Sequence, residues 1–86
     1  MRAELEKRLS KAFNPLELTI IDDSAKHKGH REGGADQGTH FRVKIVSAFF
    51  KGMSKIERHR AVFSLLDDLL KNKIHALSLT LLSDDE

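Results

Sequence analysis

Hydrophobic residues recur every three or four positions at the start of the chain. They fall on one face of a helix, with charged residues elsewhere: Leu5, Leu9, Ala12 and Phe13. This spacing predicts an amphipathic helix over residues 2–13. The helix is expected to stop at Asn14 and Pro15, because the residue before a proline disfavours helical backbone angles.

Two later segments show the alternation that is typical of strands. The first contains Leu16, Leu18, Ile20 and Ile21. Because Ile21 is out of step with the other three, this segment predicts a short, partly two-sided strand over 16–22. From 39 to 48 an apolar face alternates with a polar one, which predicts a half-buried strand. The apolar face is Phe41, Val43 and Ile45, and the polar face is His40, Arg42 and Lys44.

The last part of the chain predicts a helix and a strand. Ser54 and Glu57 have the spacing of a capping box, in which each side chain bonds to the backbone N–H of the other residue. The apolar residues that follow are Ile56, Val62, Phe63, Leu65, Leu66, Leu69 and Leu70. They predict one helix that runs to about Leu70 and ends at 71–73. The final strand is predicted from the alternation of His75, Leu77, Leu79 and Leu81.

Residues 23–38 interrupt every pattern and contain four of the five glycines. They are expected to form a long flexible loop, and loops of this length in a compact domain are usually functional or disordered. His27 and His30 in this loop have an H-x-x-H spacing that can hold a metal. In a polar, glycine-rich loop such a pair is more often solvated.

The predicted order is helix, strand, strand, helix, strand, in a single α+β domain over 1–86. The first two strands most simply pair antiparallel across the long loop. The second helix carries the chain back along the sheet, so the third strand is predicted to lie parallel to the second. The third strand then starts at the end of the sheet where the loop emerges. We therefore expect four histidines at one edge: His27, His30, His40 and His75.

The histidines outside the loop each have two interpretations. His40 lies on the polar face of its strand, which is typical of an exposed or hydrogen-bonded residue. His75 is in phase with Leu77 but at the edge of its strand, so a structural histidine and a metal ligand both fit the pattern. His59 lies on the second helix, away from the predicted cluster, as a solvated residue or part of a basic surface site.

The chain of 86 residues contains no cysteine. This excludes disulfides, a thiol nucleophile and any cysteine-containing metal site that the chain builds alone. A site for a soft metal must therefore use histidine or take ligands from another molecule. No apolar run approaches the roughly 20 residues that cross a bilayer. The first residues also lack the pattern of a signal peptide, so a cytoplasmic location is expected.

Fifteen Lys and Arg residues against 13 Asp and Glu residues give a net charge of +2, which permits nucleic-acid binding without demanding it. The residues that can meet phosphates follow Phe50: Lys51, Lys55, Arg58, His59 and Arg60. Such a run is usually a solvated face, and the G-x-x-G loop of KH domains is absent. No serine or carboxylate pair lies in a context that suggests activation, so no enzyme is expected.

Six short motifs closely resemble the BolA proteins, in the same order along the chain. They are Asp23-Ser24-x-x-His27, Thr39-His40-Phe41-Arg42-Val43, Val46-Ser47, Phe50-x-Gly52, Arg58-His59-Arg60 and Ile74-His75-Ala76-Leu77. Each motif is weak alone, but together they extend over almost the whole chain. The resemblance implies a small domain similar to the class II KH fold, acting with a monothiol glutaredoxin as its partner.

The resemblance also implies a cofactor and its ligands. Proteins similar to BolA form heterodimers in which a [2Fe-2S] cluster bridges the two chains. The glutaredoxin supplies a cysteine, and bound glutathione supplies a second thiolate. The invariant family histidine corresponds to His75, and the variable loop ligand matches His27, with His30 close enough to compete. The chain alone is expected to hold no cofactor, and a weak homodimer of it is a further alternative.

A second role is implied as well, because the family includes members described as DNA-binding transcriptional regulators. Their supposed contact region is similar to a helix-turn-helix and corresponds to residues 50–60. Many relatives continue past the third strand into a further helix, whereas the acidic tail over 83–86 is expected at most to begin a helical turn. Imidazoles in place of thiolates make a cluster less negative and sensitive to pH, which suits transfer or sensing.

Overall fold

The computed structural model describes residues 1–23 and 40–86. Its elements are α1 (Arg2–Phe13), β1 (Glu17–Asp22), β2 (His40–Val46), a 3-10 turn (Ala48–Phe50), α2 (Lys55–Leu65), α3 (Asp67–Asn72) and β3 (Ala76–Leu82). They form a small α+β domain with a three-stranded mixed sheet, as predicted. Apart from Asp23, the predicted loop over 23–38 lies outside the described residues.

The sheet has the order β1-β2-β3, with β2 in the centre. β1 pairs antiparallel with β2, and Ile20 lies opposite Val43. β2 pairs parallel with β3, and His40 lies opposite Ala76. Both predicted pairings are therefore confirmed, because the helical crossover after β2 returns the chain to the same end of the sheet.

The first helix ends as its sequence predicts. Asn14 adopts left-handed backbone angles (φ 44°, ψ 57°), and its N–H donates to the carbonyl of Ser10. Asparagine tolerates this conformation better than most residues. Leu5, Leu9 and Phe13 are buried, whereas Ala12 is exposed, so the buried stripe is narrower than predicted. Leu16 is also exposed, and β1 begins one residue later.

The turn that leads into α2 relies on local backbone chemistry. Gly52 has a φ of 79°, a conformation that side chains with a Cβ rarely adopt. The predicted capping box is present: the Glu57 N–H donates to Ser54 Oγ (3.1 Å), and the Ser54 N–H donates to Glu57 Oε1 (2.8 Å). These bonds satisfy N–H groups that the first helical turn leaves open.

The prediction of one continuous helix to Leu70 is wrong. The backbone leaves the helical region at Leu66 (φ −103°, ψ 14°), which separates α2 from α3. The buried side of the two helices contains Arg58, Val62, Leu66 and Leu69, whereas Ile56 is 63% exposed and Phe63 is 39% exposed. The apolar residues cover more than one side of this segment, so their spacing alone does not select the side that packs on the sheet.

One core lies between the helices and one face of the sheet, since α1 packs on β1 and α2 packs on β3. Its fully or nearly fully buried residues are Leu5, Leu9, Phe13, Ile20, Phe41, Val43, Ile45, Phe50, Val62, Leu66, Leu69, Ile74 and Leu81. The opposite face of the sheet carries the polar side of β2 and points away from this core. Within 1–23 and 40–86, no helix is long and apolar enough to cross a membrane.

Candidate functional site

Two histidines meet at the end of the sheet where β2 and β3 begin. The rings of His40 and His75 have centroids 5.1 Å apart and planes tilted by 41°. The parallel register causes this approach, because it places Ala76 opposite His40 and His75 one residue before that pair. His40 is partly buried, and His75 is exposed. The predicted convergence of histidines is therefore confirmed for these two.

His27 and His30 lie in residues 24–39, outside the described part of the chain. The residues that flank this segment are joined beside the histidine pair. The Asp23 N–H donates to the carbonyl of His40 at 2.7 Å, and Arg42 Nε donates to Asp23 Oδ2 at 2.7 Å. The two described residues that flank this segment, Asp23 and His40, therefore lie together at the end of the sheet where His40 meets His75.

The histidine pair has the chemistry of part of a metal site. Neutral imidazole nitrogen is a good ligand for iron, zinc and copper. Among the residues that the structure describes, no group of three or more histidine, cysteine, aspartate or glutamate side chains is arranged to hold a metal ion. The chain has no thiol. Within residues 1–23 and 40–86, His40 and His75 are therefore a pair of neighbouring candidate nitrogen ligands.

The basic segment after Phe50 divides into exposed and buried residues. Lys51, Lys55 and Arg60 are exposed, whereas the side chain of Arg58 is only 8% exposed. Arg58 Nε donates to the carbonyl of Met53 (3.0 Å), and Arg58 Nη1 donates to the carbonyl of Leu81 (2.9 Å). Arg58 therefore connects α2 to β3, and the prediction that it contacts nucleic acid does not fit its position.

The Arg58 guanidinium also forms a paired ion contact with Glu86. Nη1 and Nη2 donate to the two carboxylate oxygens at 2.7 and 2.8 Å. These bonds lower the pKa of Glu86 to about 2, and they raise the pKa of Arg58. Glu86 Oε1 also accepts from the Ser83 N–H. The acidic tail forms a turn, and it contributes a structural contact that no sequence pattern indicated.

His59 lies apart from the histidine pair, as predicted. Its Nδ1 is 2.9 Å from the carbonyl of Lys55, one helical turn earlier. Its ring also lies 6.1 Å from the ring of Phe63 on the same helix. These local contacts make His59 a residue of the α2 surface.

Comparison with known proteins assigns the family. The family model described as BolA-like protein matches residues 9–86. The chloroplastic protein BOLA1 of Arabidopsis thaliana is 44% identical over 79 residues, which are 90% of this chain and 49% of that protein. The chain thus spans about half the length of that relative. The DNA-binding transcriptional regulator BolA of Haemophilus influenzae is 38% identical over 82 residues, or 95% of this chain and 76% of that protein.

The fold agrees with this assignment. The structure of BolA1 from Arabidopsis thaliana superposes with a TM-score of 0.90 at 40% sequence identity, and the match covers 99% of this chain and 93% of that structure. A match of sequence and fold over this length supports shared ancestry of the whole described domain. The chain belongs to the BolA family.

Proposed function

We propose that this protein is a non-enzymatic partner of a monothiol glutaredoxin and that it helps to hold a bridging [2Fe-2S] cluster for assembly, trafficking or sensing. His75 is the ligand on this side, and His27 is the loop ligand, with His30 as its competitor. The glutaredoxin and its glutathione supply the thiolates. The proposal extends the BolA family assignment to a specific cofactor and partner.

The observation that carries this proposal is the approach of His75 to His40 at the end of the sheet where β2 and β3 begin. His75 is exposed, so a partner protein can reach its imidazole. Asp23 and His40, the described residues on either side of 24–39, are bonded to each other at the same end of the sheet. Because the chain has no cysteine, it supplies no thiolate, and in this proposal the thiolates come from the glutaredoxin and its glutathione.

Imidazole ligands lower the negative charge of a [2Fe-2S] cluster relative to thiolates and raise its potential. The contribution of this chain is to present the His75 ring at a fixed place. The ladder between β2 and β3 fixes the backbone next to His75, and His40 packs beside its ring. His40 is thus a positioning residue for His75 in this proposal.

Replacement of His75 by alanine is expected to abolish the spectral change that the wild type causes when it binds a cluster-loaded glutaredoxin. The protein is mixed with a cluster-loaded monothiol glutaredoxin and glutathione, and visible absorption and circular dichroism are recorded. The wild type is expected to change the dichroism of the loaded glutaredoxin, and His75→Ala is not. His59→Ala is the matched control, because His59 bonds within α2, and it should behave as the wild type.

The same titration separates the two loop histidines. If His27 is the ligand, His27→Ala changes the spectrum and His30→Ala leaves it unchanged. The opposite result moves the ligand to His30. Identical spectra and equal complex formation for the wild type and His75→Ala would refute the proposed ligand.

A second candidate function is DNA binding by a transcriptional regulator. It is favoured by the name of the Haemophilus influenzae relative and by the exposed cations Lys51, Lys55 and Arg60. His59 is adjacent to them on α2. Arg58 is absent from this set because its guanidinium is held by Glu86 and Leu81. The candidate surface is therefore smaller than the sequence predicts.

DNA binding through this surface is expected to weaken with salt, since each phosphate that the protein neutralises releases counterions. Lys55→Ala should reduce the slope of log affinity against log salt by about 1, the value for a single phosphate. Lys7→Ala, which removes an exposed lysine from α1, is the control. Duplex binding is measured by fluorescence anisotropy between about 50 and 200 mM salt. Equal slopes for the two variants would exclude this surface.

A further inference from the structure

The outer edge of β3 presents backbone groups that the sheet does not use. β3 lies at one side of the order β1-β2-β3. The carbonyl of Leu82 accepts from the Ser47 N–H at 2.9 Å, so Leu82 faces the β2 side. The carbonyl of Leu81 accepts from Arg58 instead. Since alternate residues of a strand point their backbone groups to opposite sides, Leu77 and Leu79 face outward like Leu81.

Only the C-terminal end of this edge is covered by the residues that the structure describes. Arg58 occupies the carbonyl of Leu81, and Glu86 accepts from the N–H of Ser83. Edge strands are usually protected by charges, prolines or bulges. β3 contains no charged residue, proline or glycine between Ala76 and Leu82. The other edge strand, β1, is different, since it carries Glu17 and ends in Asp22.

We propose that a second copy of this chain pairs antiparallel with β3, in a register centred on Ser78. In this register the outward N–H and C=O groups of Leu77 bond to those of Leu79 in the second copy, and Leu79 bonds to Leu77 of the second copy. The carbonyl of Leu81 keeps its bond to Arg58. The result is a two-fold symmetric dimer with a continuous six-stranded sheet.

Charge favours a second antiparallel copy over other arrangements. Lys71 and Lys73 lie before β3, and Asp84 and Asp85 lie after it. All four are exposed, and within the chain Lys71 lies 3.1 Å from Asp67 and Asp84 lies 3.9 Å from Lys51. Antiparallel pairing brings the basic end of one strand near the acidic end of the other, whereas parallel pairing brings like charges together. The chain therefore complements itself in both backbone groups and charge.

The interior side of the same strand supports the pairing. Leu77 and Leu79 are half-buried and pack against the core. A neighbouring strand would cover more of their apolar surface, which is a favourable change. Ser78 and Thr80 point to the open face of the sheet and are exposed. Ser78 can thus be replaced without disturbing the core.

Two variants that introduce opposite charges at Ser78 test this dimer. The mass in solution is measured by sedimentation equilibrium from about 10 µM to about 1 mM. We expect the mass of the wild type to rise toward twice that of the monomer. Ser78→Asp and Ser78→Lys each place like charges opposite one another and should weaken the dimer by up to about fivefold. An equimolar mixture of the two variants should restore it.

The control is Thr19→Asp, an equally exposed position on the open face of β1. It should leave the dimer unchanged, because β1 takes no part in the pairing. A wild type that stays monomeric over the whole range would overturn the proposal. A dimer that resists both Ser78 variants, or a mixture that fails to recover association, would overturn it as well.

Discussion

Phe50→Ala is expected to lower the free energy of unfolding by about 3–5 kcal/mol. Phe50 is 0% exposed, and its ring lies 5.1 Å from that of Phe13. Its removal leaves a cavity where the 3-10 turn meets α1. Domains of this size have a total stability of about 5–15 kcal/mol, so the loss is a large part of the whole. Urea denaturation followed by circular dichroism measures it.

The neighbouring Phe49 provides a matched control. It has the same side chain but is 51% exposed, and it meets Phe13 edge to face with centroids 4.9 Å apart. Phe49→Ala is expected to cost about 1 kcal/mol, the value of an aromatic pair contact. If Phe50→Ala does not fold, Phe50→Leu should fold with an intermediate loss. Equal losses at Phe49 and Phe50 would contradict the packing described above.

Glu86→Gln is expected to reduce stability at neutral pH and to have progressively less effect as the solution becomes acidic. The Arg58 guanidinium lowers the pKa of Glu86 from its ordinary 4.5 to about 2 in the folded protein. The folded state therefore binds a proton at Glu86 less readily than the unfolded state. The stability from this carboxylate is fully present above the unfolded pKa and is lost as the pH falls toward 2.

The measurement compares urea midpoints of the wild type and Glu86→Gln between about pH 7 and about pH 3. Other carboxylates also contribute to the pH dependence of stability, including Asp68, whose pKa is lowered by its bonds to Arg8. The difference between the two proteins isolates Glu86. Glu6→Gln, at an exposed position of α1, corrects for the change in net charge. A difference that stays constant from pH 7 to pH 3 would show that Glu86 is not engaged by Arg58.

The sequence predicts the elements well because each has a local cause. The period of Leu5, Leu9 and Phe13 determines the face of α1 that packs, and the capping box determines where α2 begins. The sequence does not predict which side of α2 faces the core. Apolar residues lie on several sides of that helix, and Arg58 takes a buried place that its residue type argues against. Its partners Leu81 and Glu86 are more than twenty positions away, so no local pattern reveals them.

The sequence likewise predicts one part of the candidate site and leaves another part untested. The motifs and the crossover rule are enough to place His75 and His40 at one edge, and the structure confirms that approach. The metal ligands themselves, the glutaredoxin and the cluster stay predictions. His27 and His30 lie outside the described residues. Arg58 is not part of the exposed basic surface, because it packs between α2 and β3. The run of basic residues in the sequence does not indicate this.

By itself, the sequence determined the order of elements apart from the break between α2 and α3, the strand pairings, the family and the lack of any thiol. These depend on periodicity, capping, composition, short motifs and the crossover rule, all of which can be applied without knowing the tertiary contacts. Tertiary structure alone decided which phenylalanine of the Phe49–Phe50 pair is buried and that Arg58 and Glu86 join α2 to the end of β3. It also decided which backbone groups of β3 face away from β2. Each of these depends on contacts between residues distant in the chain, whose energies are set only when the helices and the sheet pack together.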